Sequence, residues 1–329
     1  MRKVTWGVLS TAKIGLKQVI PAMKKGIFSE ITAIASRNID IAKKAAGELN
    51  IPIAYGSYEE IIKDSSIEAV YIPLPNHLHV EWTEKCLRAG KHVLLEKPIG
   101  LNYQQAEDLL EISKKYPKVK LMEAFMYRHH PQMLEVKRLI DDGAIGDLQS
   151  IYATFSYFNN NPADIRNQAD IGGGGLLDIG CYCISISRYL FGNEPKRVSG
   201  LVEFDPVMKI DRLASGLLDF EEGMAQFMCA TQLNNQQYAR ATGTKGRIEI
   251  ETPFTPQPNE SAKIVLITDT KRKEISFEPC DKYTIQGDIF STAILNDHDS
   301  PLPIEDGVAN MKVIDGIFKS AESGRFVNI

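Results

Sequence analysis

The alternation of short β-branched runs with helical stretches, from Lys3 to about Leu121, is the feature that most constrains how this chain folds. Apolar residues in the helical stretches recur three and four positions apart, as in Ala106, Leu109 and Leu110, which is typical of amphipathic helices. Several strand-like runs lack polar/apolar alternation, as strands buried on both faces do. The pattern predicts βαβ units and a doubly wound α/β domain with a parallel sheet. Its predicted strands are Val4–Leu9, Ile31–Ser36, Ile53–Tyr55, Ala69–Ile72, His92–Leu95 and Val119–Met122.

After Tyr127 the rhythm changes, and strand-like segments follow one another directly between Arg197 and Phe277. Strands in direct succession indicate an α+β fold with a large, mostly antiparallel open sheet. The length of 329 residues favours two domains, which we place at residues 1–122 and 123–329. Too few helices follow the late strands to cover both faces of the sheet. One face should therefore pack against a second copy, giving a homodimer or a dimer of dimers.

Composition excludes several classes of protein. Hydrophobic residues make up 43% and charged residues 24% of the chain, as in soluble globular proteins. A net charge of −4 lacks the basic surplus of a non-specific nucleic-acid binder. No run approaches the ~20 apolar residues that span a membrane, and the start lacks an apolar signal core. With five scattered cysteines, these features predict a cytoplasmic protein with no nucleic-acid or membrane partner and no metal site.

The first candidate site is the turn between the first strand and the first helix. In a G-x-G-x-x-G frame the chain offers Ser10, Ala12 and Gly15, so only the third position keeps its glycine. The other two are small, which still lets the backbone approach a phosphate at a helix N-terminus. If the turn binds a dinucleotide, Ser10, Thr11, Ala12 and Ile14 are the expected contacts. An ordinary strand-to-helix turn is the alternative.

The end of the second strand carries Ser36 and Arg37. Some ~20 residues past the glycine turn, NAD enzymes place an acidic residue that accepts from the ribose 2′-hydroxyl. A hydroxyl and a guanidinium instead suit a 2′-phosphate. In a dinucleotide-binding fold these residues favour NADP, with NAD as the second choice. A solvated arginine at a strand end is the alternative.

Other candidates follow later strands, at the edge where open α/β sheets bind ligands. Leu74, Pro75, Asn76 and His79 follow the fourth strand, and Glu96 and Lys97 follow the fifth. Asn and His side chains there suit a ribose or a nicotinamide, whereas a lone lysine is usually a surface charge. In the second half, a run of four glycines precedes Asp178 and Tyr182. Four positions apart on a helix, these two share one face. They could bind a substrate together, or be a helix N-terminal acid and a core tyrosine.

Four motifs in this order resemble the Gfo/Idh/MocA oxidoreductases. They are the small-residue turn at Ser10–Gly15, Pro75-Asn76-x-x-His79, Glu96-Lys97-Pro98 and Gly172-Gly-Gly-x-Leu-x-Asp178-x-Gly-x-Tyr182. The resemblance implies a Rossmann domain that binds NAD(P) and an α/β domain whose open sheet often forms the dimer face. It also implies that Lys97 lies near the nicotinamide, with Asp178 and Tyr182 close by. The tyrosine is more similar to the branch of glucose–fructose oxidoreductase, dihydrodiol dehydrogenase and NADP-dependent xylose dehydrogenase.

The reaction that the resemblance implies is hydride transfer between a nicotinamide and a secondary alcohol or lactol of a sugar, polyol or dihydrodiol. Tyr182 would exchange the hydroxyl proton, helped by the Lys97 ammonium because the reference pKa of tyrosine is ~10. Their roles exchange if Lys97 meets the hydroxyl instead. Asp178 could orient Lys97 or a substrate hydroxyl. We also expect Arg166 to contact the cofactor. A dinucleotide-binding redox sensor without turnover and an NAD-dependent glycosidase remain as alternatives.

Overall fold

The computed structural model describes residues 2–329, so Met1 of the predicted first domain lies outside it. The described chain divides into two compact units. The first contains residues up to Met126 and the segment Asp281–Val308, and the second contains Tyr127–Cys280 and Ala309–Ile329. The predicted boundary after residue 122 lies close to the first crossing between the units. The predicted division places residues 281–308 in the second domain, whereas in the structure they belong to the first unit.

The first unit is built on a six-stranded parallel sheet with the order β3-β2-β1-β4-β5-β6. The order reverses between β1 and β4, which is the point where doubly wound sheets bind ligands beyond the carboxyl ends of their strands. The doubly wound fold predicted from the strand-helix alternation is confirmed. The strands are β1 (Val4–Leu9), β2 (Ser29–Ala35), β3 (Ile53–Tyr55), β4 (Ala69–Ile72), β5 (His92–Leu95) and β6 (Leu121–Glu123).

The helices of this unit begin at side-chain caps that the sequence supplies. Asn38 accepts hydrogen bonds from two backbone amides at the start of α2, and Ser57 and Glu60 form a capping box at α3. Such caps satisfy amides that have no partner within the helix. The helices are α1 (Ile20–Met23), preceded by a π-helical turn at Gly15–Val19, then α2 (Ile39–Leu49), α3 (Tyr58–Lys63), α4 (His79–Arg88), α5 (Tyr103–Lys114) and α8 (Lys282–Leu295).

Helix α8 completes the core of the first unit, although it is encoded after the second unit's sheet. Trp6 of β1 donates from Nε1 to Ser291 Oγ at 3.1 Å, and its ring centroid lies 5.9 Å from that of Phe290. Ser29 of β2 shares a 2.9 Å hydroxyl contact with the same Ser291. Asp288 accepts from the amides of Ile27 and Phe28, both at 2.9 Å. These contacts bind α8 to the amino ends of β1 and β2.

The second unit contains a nine-stranded sheet with the order β14-β13-β12-β11-β7-β10-β9-β8-β15. Its pairs are antiparallel except for β7 and β10, which run parallel, so the predicted mostly antiparallel sheet is confirmed. The strands are β7 (Leu148–Phe158), β8 (Arg197–Phe204), β9 (Asp211–Asp219), β10 (Met224–Ala230), β11 (Gln232–Gly243), β12 (Gly246–Ile250), β13 (Ala262–Thr268), β14 (Lys271–Phe277) and β15 (Val327–Asn328).

Helices cover one face of this sheet. A Cβ added to Gly200 of β8 or Gly216 of β9 would meet Ile317 at 2.7 and 2.8 Å, so both glycines admit a helix at close range. The opposite face of the same strands exposes apolar side chains, including Leu201 and Leu217. The helices are α6 (Pro131–Asp141), α7 (Cys181–Phe191) and α9 (Ile304–Ser323), the last of which enters this unit at Ala309.

Candidate functional site

The turn after β1 is tied to the end of β4, across the point where the strand order reverses. Ser10 Oγ donates to the carbonyl of Pro73 at 3.2 Å and accepts from the Ala12 amide at 3.1 Å. Ser10 has φ 111, in the region that favours glycine. It therefore takes the backbone shape of the fingerprint's glycine and uses its hydroxyl to hold the turn. Thr11, Ala12 and Ile14 are half-buried along this turn, ahead of the π-helical turn that begins at Gly15.

The end of β2 places a buried hydroxyl beside an exposed guanidinium. The Ser36 amide donates to Tyr55 at 3.1 Å, and Ser36 Oγ accepts from the Asn38 amide at 3.3 Å. Arg37 is exposed at the start of this loop. Burial raises the pKa of Tyr58, and the nearby Arg37 cation partly opposes that rise. Arg37 thus stands beside a tyrosine that remains a neutral phenol at neutral pH.

The loops after β4 and β5 are joined through His79, the first residue of α4. Its Nδ1 lies 2.7 Å from the Pro98 carbonyl, and its Nε2 lies 2.8 Å from the Leu74 carbonyl. The side chain is fully buried. Because both nitrogens face backbone carbonyls, His79 supports the predicted cofactor loop and offers that cofactor no ring nitrogen. Leu74 is buried, whereas Pro75, Asn76 and Lys97 are half-buried at the strand ends.

Glu96, next to Lys97, is held by a buried tyrosine. Tyr71 of β4 donates from its phenol to Glu96 Oε1 at 2.5 Å. Burial raises the pKa of Tyr283 in α8, and the Glu96 carboxylate raises it further. Tyr283 therefore stays protonated beside the carboxylate to which Tyr71 donates its hydrogen bond. The residues predicted at the ends of β1, β4 and β5 are accordingly assembled along one edge of the sheet.

In the second unit, Asp178 is the centre of a polar cluster that it forms with Tyr157 and Arg166. Tyr157 of β7 donates to Asp178 Oδ2 at 2.6 Å, and Arg166 Nε lies 3.2 Å from the same oxygen. Burial raises the pKa of Tyr157, and the charge of Asp178 raises it further, so the phenol remains a donor. The same carboxylate raises the pKa of Arg166. Arg166, predicted as a cofactor contact, is thus part of the environment of Asp178.

The glycine run closes around a buried carboxylate, that of Asp211 in β9. Asp211 Oδ2 accepts from the Leu176 amide at 2.5 Å. A Cβ at Gly174, which has φ 126, would lie 1.8 Å from Asp211 Oδ1, so this position requires glycine. Burial raises the pKa of Asp211 to about 7. Asp211 fixes the start of the π-helical turn Leu176–Gly180, which carries Asp178.

Tyr182 lies in the first turn of α7, where aromatic rings surround its side chain. Its ring centroid is 5.7 Å from Tyr127, 5.8 Å from Phe155 and 5.6 Å from Phe254. Phe254 belongs to the loop after β12, and its backbone amide donates a 3.1 Å hydrogen bond to Oε1 of Gln237. Since Tyr182 is 6% exposed, its ring orientation is fixed by packing.

Sequence reasoning missed Tyr157, Asp211 and Phe254. Tyr157 could have been predicted, because alternate residues of β7 face inward and Tyr157 lies on the same face as Phe155. Asp211 and Phe254 carry no local motif, and tertiary folding alone brings them to the glycine run and to Tyr182. In residues 2–329, no group of three or more His, Cys, Asp or Glu side chains could hold a metal ion. Over the same range, no helix has the length and apolar character needed to cross a membrane.

Comparison with known proteins identifies the family. Residues 4–125 match the model of the oxidoreductase family with an NAD-binding Rossmann fold, and residues 133–249 match the GFO/IDH/MocA C-terminal domain. An uncharacterized oxidoreductase of Rhizobium meliloti is 39% identical over 100% of both chains. D-xylose 1-dehydrogenase (NADP(+)) 2 of Haloferax volcanii is 36% identical over 98% of this chain and 99% of its own.

Among solved structures, a 3-ketoreductase from Actinomadura kijaniata in complex with NADP and TDP-benzene superimposes with a TM-score of 0.90 and 30% identity. The match covers 97% of this chain and 98% of that chain. These similarities extend over both units and confirm the resemblance seen in the four motifs. The chain belongs to the Gfo/Idh/MocA family of NAD(P)-dependent oxidoreductases.

Proposed function

We propose that this chain transfers hydride between NADP and a secondary alcohol or lactol of a sugar, polyol or dihydrodiol. The observation that carries the proposal is the assembly of the turn after β1, the loop after β4 and Lys97 after β5 along one edge of the sheet. Relatives whose names include NADP-dependent D-xylose dehydrogenase and trans-1,2-dihydrobenzene-1,2-diol dehydrogenase support this substrate class.

The residues at this edge fit a phosphorylated dinucleotide. The left-handed backbone at Ser10 and the small side chain of Ala12 leave room for a pyrophosphate to approach the turn. Ser36 and the exposed Arg37 offer a hydroxyl and a cation to a 2′-phosphate, where a carboxylate would repel it. Leu74, Pro75 and Asn76 are proposed to line the path towards the nicotinamide. When bound, NADP supplies a hydride acceptor or donor at carbon 4 of its nicotinamide ring.

The protein's own groups are proposed to move the hydroxyl proton. Tyr182 exchanges the proton with the substrate oxygen, and Lys97 supplies the positive charge that favours the phenolate form during the transfer. Asp178, held by Tyr157 and Arg166, orients a substrate hydroxyl by accepting its hydrogen bond. Lys97 and Tyr182 belong to different units, and their shared role rests on the order of the family motifs. Solved forms of the Actinomadura 3-ketoreductase include a Tyr-to-Phe variant and Lys-to-Ala and Lys-to-Glu variants, which involve the same residue types.

A screen of sugars, inositols and diols with NADP and NAD tests the proposal, read at the absorbance band of the reduced nicotinamide. We expect turnover with at least one polyhydroxylated substrate and a preference for NADP. Tight NADP(H) binding without turnover on any substrate would favour the redox-sensor alternative. Glycoside cleavage without net reduction of the nicotinamide would favour the glycosidase alternative.

We further propose a homodimer or dimer of dimers formed through the uncovered face of the nine-stranded sheet. Leu201 is 78% and Leu217 45% exposed there, on the adjacent strands β8 and β9. Leu201→Glu with Leu217→Glu should convert the assembly to monomers at micromolar concentration, measured by light scattering, because a buried charge opposes association. Val207→Glu, which alters a more exposed apolar residue outside these strands, is the control. A wild-type monomer would disprove the dimer.

A cytoplasmic location is also proposed. It is supported by four buried cysteines, of which Cys86 has its pKa raised to about 12 by burial. Thiols of this kind stay protonated and pack as small apolar groups. Cell fractionation checks the location, and recovery of the protein outside the cytoplasmic fraction contradicts it.

A further inference from the structure

The buried histidine at the start of α4 joins two loops that the proposed function uses. His79 contacts Leu74, which precedes the Pro75-Asn76 pair, and Pro98, which follows Lys97. Both contacts are short, at 2.8 and 2.7 Å, and the side chain has 0% exposure. A hydrogen-bonded group without solvent access is held in one place by its partners and in turn holds them.

A neutral histidine ring cannot donate hydrogen bonds to both of these partners. Both partners are carbonyl oxygens, which only accept, whereas a neutral imidazole carries one N–H. Burial lowers the pKa of His79 to about 4, and the two carbonyls act in the opposite direction. The ring therefore donates one hydrogen bond when neutral and two when protonated. In either state it fills the space between the two backbone segments.

We propose that His79 is a positioning residue, which fixes the backbone of Lys97–Pro98 against the Leu74–Asn76 loop and so sets where the Lys97 ammonium stands. The Nδ1 contact acts on the lysine segment, and the Nε2 contact acts on the cofactor loop. These separate roles of the two contacts rest on the proposed function, in which Lys97 assists proton transfer. It adds a residue that touches neither cofactor nor substrate.

Two amide substitutions separate the two contacts. His79→Asn places an amide N–H near the Nδ1 position, and His79→Gln places one near the Nε2 position, whereas His79→Leu offers no donor at either position. We expect the Asn variant to keep kcat within about threefold of wild type and to weaken NADP(H) binding. The Gln variant should instead lower kcat by more than about threefold and keep its NADP(H) binding. The Leu variant should lower kcat by up to about 10²-fold, the loss that follows a displacement of ~1 Å in a reacting group.

Kinetics, NADP(H) binding by fluorescence and thermal melting are measured on each purified full-length variant. His298→Leu, which removes an exposed histidine after α8, is the control and should match wild type. In a Lys97→Met background, His79→Leu should cost less than about threefold in kcat, because residues that act through one another are not additive. Equal behaviour of the Asn and Gln variants, or a full multiplicative loss in the Lys97→Met background, would overturn the proposal.

The same experiment separates a failure of this inference from a failure of the proposed function. Unchanged turnover in the Lys97→Met variant alone would remove Lys97 from the reaction, and with it the kinetic half of the role given to His79. The opposite NADP(H) affinities expected of the Asn and Gln variants do not depend on turnover. If those affinities do not differ, His79 does not control the cofactor loop.

Discussion

Tyr157 donates a 2.6 Å hydrogen bond from its phenol to Oδ2 of Asp178, the same oxygen that Arg166 Nε approaches at 3.2 Å. One carboxylate oxygen thus meets a neutral donor from β7 and a cation from the loop after it. Contacts in which one partner is charged are short and strong, so both hold this oxygen firmly in place. Asp178 is a pre-oriented acceptor before any substrate binds.

Removing the phenol of Tyr157 tests that orientation. Tyr157→Phe should lower kcat/KM about tenfold, equivalent to ~1.5 kcal/mol for a lost hydrogen bond to a charged group. NADP(H) affinity should stay unchanged. Tyr152→Phe is the matched control, since Tyr152 lies on the opposite face of β7. Steady-state kinetics with titration of NADP(H) distinguishes the two, and equal effects in both variants would show that Asp178 needs no help from Tyr157.

Lys97 and Tyr182 should behave as one catalytic unit. Lys97→Met and Tyr182→Phe are each expected to lower kcat by about 10²–10⁴, the range for a lost general acid or base. The double variant should lose little more than the worse single variant. Lys118→Met, at an exposed lysine before β6, is the control. Fully multiplicative losses would mean that the two residues act independently, and near-normal turnover of Tyr182→Phe would make the tyrosine a core residue.

Arg37 should determine the preference between the two nicotinamide cofactors. Arg37→Asp is expected to shift preference towards NAD, with a loss of ~1.5–3 kcal/mol in NADP binding for the charged contact. Lys44→Asp makes the same change of charge at an exposed position in α2 and should leave the preference unaltered. Isothermal titration calorimetry measures both affinities. An unchanged NADP affinity in Arg37→Asp would identify Arg37 as a solvated surface residue.

The left-handed backbone at Ser10 makes a prediction about stability. Ser10→Ala and Ser10→Gly both remove the hydroxyl that contacts Pro73 and Ala12, but only alanine keeps a Cβ at φ 111. The glycine variant should therefore be more stable than the alanine variant by ~1–2 kcal/mol. Thermal or urea unfolding of the cofactor-free protein measures the difference. Equal stabilities would mean that the turn relaxes without cost when the hydroxyl is lost.

The first unit was largely predictable because its signals are local. β1, β3, β4 and β5 have the predicted bounds, since their short, mostly apolar runs contrast sharply with the helices between them. In the second unit, the first part of β11, which begins at Gln232, was harder to predict. Asn234, Asn235 and Gln236 near its start are exposed and polar, and its register against β7 is irregular, so this segment resembles a loop in sequence.

The candidate site was predictable only where motifs mark it. Motifs at the end of β5 and in the glycine run mark Lys97 and Asp178. No motif near Asp211 predicts that its carboxylate lies against Gly174. The prediction that Asp178 and Tyr182 share one face of an α-helix also differs from the structure. Asp178 lies in a π-helical turn and Tyr182 in the α-helix that follows, so the wider turn changes their angular relation.

The contact of Trp6 with Ser291 and Phe290 has a consequence for biosynthesis. A ribosome makes β1 well before the partners of Trp6, which follow some 285 residues later. Until then the nascent sheet exposes an indole that is fully buried in the finished protein. A translation product that stops at Met126 should therefore expose apolar surface and require chaperones. The core of the first unit can therefore close only after residues 127–280 of the second unit have been made.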